Sequence, residues 1–227
     1  VKINEKIIDI ESEKLLVAIG IIGNTENMGL EKAKIKMVNG HIVTNEKMCT
    51  NIPNIYAIGD VTNPPWLAHK ASHEGIIAAE IIAGIKEVHK FEKTSIPACT
   101  YSYPQIASIG LNEKQASEIG LNVNVGSFPF LWNGKSITLG QKDGFIKTLF
   151  DEETGELIGA HMIGAEVTEL INSFSIAKTL ETTEVDIINT IFAHPTLSEA
   201  MHESVLSAYN KACLLYTSDA ADEEDSV

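Results

Sequence analysis

Arginine is missing altogether: all 17 basic side chains are lysine, against 31 acids, for a formal charge of −14 over 227 residues. Nucleic-acid binding needs concentrated basic charge, so that class is excluded, and attraction to an anionic membrane surface with it. No apolar run approaches the roughly 18 residues of a membrane-spanning helix. Cysteine is nearly as scarce. Cys49, Cys99 and Cys213 stand far apart, with no Cys-x-x-Cys and no metal-ligand spacing, and read as lone thiols of a reducing compartment. His-Glu-x-x-His is absent too. His69 and His73 are four apart on one predicted helix, but no third ligand accompanies them, which favours helix surface or pocket lining over a metal site. His41, His89, His161 and His202 show no ligand spacing either.

What is present is an ordinary globular chain. Apolar residues make up 44%, enough for one large domain or two small ones. Residues 15–19 form an apolar run closed by Gly20 and read as a buried strand, the last of a domain whose beginning lies upstream. Short strands are expected at 41–43, after an Asn39-Gly40 turn, and at 55–58. Residues 67–82 predict a helix stopped by Gly84. Its small residues Ala68, Ala71, Gly75 and Ala78 or Ala79 share one face and let something approach the backbone closely. After Gly84 the texture changes. Strands are expected at 96–101, 106–111, 123–128, 145–150 and 157–163, with a hairpin turn at 152–155. A short helix at 112–119 opens on an Asn112-x-x-Gln115 box, and helices at 167–180, 184–191 and 198–208 close the pattern. The fold class is therefore an α/β remnant followed by an α+β domain with an antiparallel sheet and flanking helices.

Two segments could carry chemistry. In Ile55-Tyr56-Ala57-Ile58-Gly59-Asp60 a short apolar strand delivers Asp60 to its carboxyl end, where ligands sit in α/β sheets. A carboxylate there accepts hydrogen bonds from hydroxyls, and the helix starting at Leu67 offers a positive dipole end nearby. An ordinary Gly-Asp turn is the plainer account. In Ala193-His194-Pro195-Thr196-Leu197-Ser198-Glu199, Pro195 holds His194 extended just before a helix whose first turn contains Glu199. A carboxylate on one imidazole nitrogen fixes the tautomer and leaves the other nitrogen as a general acid/base. Against that stand a surface histidine and a Thr196-x-x-Glu199 capping box, which need no catalysis. Phe128, Phe130 and Trp132 read as core or interface rather than a cofactor box.

These segments, with Val17-Ala18-Ile19-Gly20, the run from Asn24 to Leu30, and that from Leu67 to Gly75, occur in an order that resembles the pyridine-nucleotide disulfide oxidoreductases, among them the dihydrolipoamide dehydrogenase family. The resemblance covers residues 1 to about 212. It implies that residues 1–20 end an NAD-binding domain, 21–92 are a central FAD-contacting region, and 93–212 a dimerisation (interface) domain. FAD and NAD are the implied cofactors. Gly20 would line the nicotinamide nucleotide, Asp60 bind the ribityl chain of the flavin, and Trp66, Leu67, Ala68 and His69 lie along its isoalloxazine. His194 and Glu199 would be an acid-base pair acting across a homodimer on dihydrolipoamide carried by the lipoyl domains of 2-oxoacid dehydrogenase complexes. The compartment would be bacterial cytoplasm or mitochondrial matrix.

The chain departs from that pattern in places. Ile21-Ile22-Gly23 stands where the family usually has Arg-Arg-Pro, and neither the redox cysteine pair nor the glycine-rich FAD motif is present. The resemblance thus implies an enzyme of which this piece alone should not turn over. A glutathione-reductase-like disulfide reductase shares His-Pro-Thr and the Glu, and a non-catalytic dimerisation module is the alternative from another class. Finally, residues 213–223 coincide with the translation of a transposase-type sequencing adapter, so 213–227 is expected to be an adapter-derived tail without function.

Overall fold

The computed structural model describes residues 2–3, 6–88 and 92–212. His89, Cys213 and the expected adapter-derived tail lie outside them. Two compact units, Val1–Lys90 and Phe91–Val227, divide the chain.

In the first unit, β1 (Lys2–Ile3) pairs with β2 (Lys6–Ile7), and β3 (Met37–Val38) with β4 (His41–Ile42), both antiparallel. Asn39 and Gly40, at φ 50° and 80°, make the β3–β4 turn, as a tight hairpin with two left-handed residues requires. Leu30, Ile42 and Ala57 form a small core, with Ile35, Met37 and Val61 against it. Helix α1 (Ala68–Ile82) follows. The amides of Gly84 and Ile85 close it by donating back to Ile81 and Glu80, both at 3.0 Å.

Two expected strands of this unit are not there. Residues 15–19 carry no regular structure, with Leu16 89% and Ile19 94% exposed. A strand needs neighbours to take its backbone groups, and no strand among the described residues pairs with this run. Residues 55–58 reduce to one bridge, Tyr56 to Cys49. There the chain folds back on the preceding loop, the Ile55 carbonyl accepting from Thr50 and the Ala57 amide donating to Met48.

The second unit is built on five antiparallel strands, β5 (Ala98–Thr100), β6 (Gln105–Gly110), β7 (Val123–Pro129), β8 (Phe145–Asp151) and β9 (Leu157–Gly164), in the order β5-β6-β9-β8-β7. Between β6 and β7, α2 (Glu113–Glu118) opens on the expected box: Asn112 accepts from the Gln115 amide at 2.9 Å and Gln115 from the Asn112 amide at 3.0 Å. The helix α3 (Gly134–Leu139) was not expected; glycine at its first position and β-branched Ile137 and Thr138 weaken its pattern. Three helices follow the sheet: α4 (Val167–Thr179), α5 (Glu184–Ile188) and α6 (Glu199–Ala208). The helix expected over 184–191 stops early because the Ile188 carbonyl accepts from His202 Nε2 at 3.1 Å.

One core holds this unit. Ile109, Phe128, Ile146 and Met162 from the sheet meet Ile171 and Phe174 of α4 and Met201 and Val205 of α6. Phe128, Phe130, Phe150 and Phe174 are fully buried, each contributing about 1.5–3 kcal/mol. Helix α6 lies so close on β7 that a Cβ at Gly126 would stand 1.9 Å from the Ser204 carbonyl oxygen. The same carbonyl accepts from Thr148 Oγ1 on β8. This seat fixes the helix that starts at Glu199. Gly126→Ala should therefore lower stability by about 2–3 kcal/mol, read as a reduced denaturant midpoint at unchanged slope.

Candidate functional site

In the first unit the turn Gly59–Val61 packs on α1, and a buried ion pair holds the two together. Lys70 Nζ lies 2.9 Å from Glu74 Oε1, with side chains 5% and 6% exposed. Lys70 also donates to Thr62 Oγ1 at 3.2 Å and to the Asn63 carbonyl at 2.9 Å, while Glu74 Oε2 accepts from the Gly59 amide at 2.7 Å. Thr62 Oγ1 in turn donates to the Gly59 carbonyl at 2.7 Å. Every charge is thus met by polar partners, the condition for tolerating it inside. The small face of α1 has an occupant as well. Gly59, at φ 74°, is close enough that a Cβ on it would stand 3.4 Å from the Ala71 Cβ, and one on Gly75 equally close to Ile58. What approaches the helix backbone is the chain's own turn.

The turn presents Asp60 to solvent beside this helix. No side chain caps the start of α1 at Leu67, and no acid occupies its first turn. Ala68 and His69 are exposed there. An exposed carboxylate thus accompanies the N-terminal end of a helix, whose dipole favours negative charge. A carboxylate that can accept from hydroxyls beside a helix end that favours negative charge is compatible with a ligand carrying both kinds of group. Trp66 donates from Nε1 to the Thr62 carbonyl at 3.0 Å and stacks on His41 at 4.9 Å between centroids. Gly20 stands in an exposed stretch, with nothing within 4 Å of where its Cβ would be. Neither the stack nor the ion pair was anticipated. For the pair, the available signal was Lys70-x-x-x-Glu74 on a helix otherwise lined by small residues.

In the second unit His194, in the connection from α5 to α6, meets Glu199, the first residue of α6. His194 Nδ1 donates to Glu199 Oε1 at 2.8 Å, which leaves Nε2 as the lone-pair nitrogen of the neutral ring. The imidazole is 79% exposed and the carboxylate 24%. A pair so open to water stabilises the fold by only about 0–1 kcal/mol. The other oxygen, Glu199 Oε2, accepts from the Thr196 amide at 2.8 Å. Glu199 thus holds the imidazole with one oxygen and the backbone of its own loop with the other, while the N-cap position of α6 is Ser198, whose side chain makes no capping bond. The expected box is only half formed, because Thr196 Oγ1 donates to the Ala193 carbonyl at 2.7 Å instead of serving the helix. Pro195 does not start α6 either: a turn at residues 197–198 separates it from the helix, which begins at Glu199. Phe192 rests against the His202 ring at 4.9 Å, on the histidine that also holds Ile188.

The other candidates are quieter. Burial first, then the Glu169 carboxylate, push the Cys99 thiol up, away from the reactive thiolate. Cys49 and Cys99 are both free thiols. Phe128 and Phe130 are core, and Trp132 meets Phe128 edge-on at 6.2 Å. Among the described residues no group of three His, Cys, Asp or Glu side chains is placed to hold a metal ion, and no helix is long and apolar enough to cross a membrane.

Two family models match: that of the pyridine nucleotide-disulphide oxidoreductases over residues 1–75, and that of their dimerisation domain over residues 96–205. A dihydrolipoyl dehydrogenase of Zymomonas mobilis is 56% identical over 197 residues, which is 87% of this chain and 42% of that protein. One from Rhizobium etli is 51% identical over 206 residues, 91% of this chain and 43% of that protein. Among solved structures, LpdA of Mycobacterium tuberculosis matches with a TM-score of 0.76 at 24% identity, over 81% of this chain and 40% of that one, a likeness of fold. The chain spans about two fifths of the length of the curated relatives it matches.

The buried pair gives a stability test. Glu74→Ala should cost about 3–5 kcal/mol by stranding the Lys70 charge, whereas Lys70→Met combined with Glu74→Leu should recover part of that loss, leaving the Gly59 amide unpaired. Urea denaturation of the three proteins measures both effects.

Proposed function

The chain belongs to the pyridine nucleotide-disulphide oxidoreductases, and on that premise we propose that it is the C-terminal part of an enzyme that oxidises protein-bound dihydrolipoamide to lipoamide with NAD+ as electron acceptor. The observation that carries this reading is the His194–Glu199 hydrogen bond inside the segment matched by the dimerisation-domain model. The identity to proteins named dihydrolipoyl dehydrogenase supports the substrate.

The roles follow from chemistry. Glu199 fixes the proton of His194 on Nδ1, so Nε2 takes a thiol proton from the dihydrolipoyl dithiol. The thiolate then attacks a redox disulfide, which this chain does not carry, and His194 acts on that centre in the partner subunit of a homodimer. The FAD that the first unit would help to hold would supply the two-electron chemistry between the dithiol and NAD+. Asp60 would hold the ribityl hydroxyls, and Trp66, Leu67, Ala68 and His69 would line the isoalloxazine, where the N-terminal end of α1 would favour negative charge. Gly20 lies along the nicotinamide nucleotide. The lipoyl domains that deliver substrate belong to 2-oxoacid dehydrogenase complexes, in bacterial cytoplasm or mitochondrial matrix.

In the full-length protein, His194→Gln should retain bound flavin and lower dihydrolipoamide oxidation roughly 10²–10⁴-fold. Steady-state assay with dihydrolipoamide and NAD+, beside the flavin absorbance of the purified variant, checks both. Near-normal turnover removes the role given to His194. Turnover of glutathione disulfide with NADPH in place of dihydrolipoamide with NAD+ removes the substrate.

A further inference from the structure

Thr196 sits at the crossing of the bonds that hold the His194 segment. Its amide carries Glu199, and its hydroxyl carries the Ala193 carbonyl. Its own carbonyl accepts from Asn133 Nδ2 at 3.0 Å, a side chain 63 positions away in sequence. Asn133 is 1% exposed, and its carboxamide is used at both ends: Oδ1 accepts from the Ser136 amide at 2.9 Å and caps α3. The corner is itself fixed. Ser136 is fully buried, and its hydroxyl donates to the carbonyls of Phe130 and Asn133. The imidazole, largely in solvent, has no comparable packing of its own.

We infer that Asn133 is a positioning residue: its carboxamide ties the backbone of the His194–Glu199 segment to the corner before α3 and so sets where the imidazole stands. The inference rests on His194 being the base, but the bond and its consequences can be tested apart from that role. Capping α3 needs only an acceptor, which Asn, Asp and Ser all supply. The tether needs a donor long enough to reach Thr196, which Asp lacks and Ser is too short to provide. Asp also sets carboxylate oxygen against carbonyl oxygen. Residue type at 133 therefore separates helix cap from tether.

The test uses Asn133→Asp and Asn133→Ser in the full-length holoenzyme. The tether predicts retained flavin, a KM for dihydrolipoamide close to that of the unmodified protein and a kcat lower by about 10- to 100-fold. It also predicts amide hydrogen exchange over 193–199 faster by about tenfold, with no such change over α3. A lowered melting temperature with unchanged kcat and unchanged exchange over 193–199 overturns it, as does no change at all. If neither variant folds, the unmodified protein decides. A slowly exchanging Asn133 carboxamide supports the tether, and one exchanging at the rate of a free side-chain amide overturns it. Should His194→Gln leave turnover normal, the base assignment fails while the exchange measurements still judge the tether.

Discussion

Both oxygens of Glu199 are committed, one to His194 Nδ1 and the other to the Thr196 amide, each at 2.8 Å. That double use is the constraint on which the second unit turns. An imidazole in solvent rotates and exchanges tautomers freely; a carboxylate on Nδ1, itself bonded to the backbone two residues beyond the ring, biases it toward one orientation and one tautomer. The rest of the unit serves the carboxylate. Glu199 opens α6, α6 is pressed on β7 at Gly126, and the sheet beneath is packed with buried phenylalanines. Orientation achieved this way rests on the packed core while the imidazole itself stays accessible.

The first unit solves a related problem with opposite means. There the charges of the pair are buried, and Asp60 beside them is exposed. Lys70 and Glu74 satisfy each other and reach out to Thr62, Asn63 and Gly59, so the turn carrying Asp60 cannot drift from the start of α1. Removing one charge would strand the other, whereas the exposed His194–Glu199 pair could be broken with little loss of fold. The two pairs differ because one sets backbone geometry and the other sets a proton.

Much of this was legible in the sequence, and the remainder was hidden for definite reasons. Strand alternation and turn residues mark all five strands of the sheet, and Asn112-x-x-Gln115 marks a helix start, because each is a local preference. The contact of His194 with Glu199 is likewise local. The tether from Asn133 to Thr196 is not: nothing at either position announces a partner 63 residues away. The spacing of Lys70 and Glu74 does not show that the pair is buried, since burial of charge depends on what packs above it. The run 15–19 misleads in the other direction. Apolar residues favour a strand, but a strand forms only where neighbours complete its hydrogen bonds.

Nitrogen-15 chemical shifts of the His194 ring, measured at a pH where the ring is neutral, test the central claim most directly. If Glu199 holds the proton, Nδ1 is protonated and Nε2 carries the lone pair, with one tautomer dominating. A proton on Nε2, or the averaged shifts of an imidazole free in water, would contradict the account.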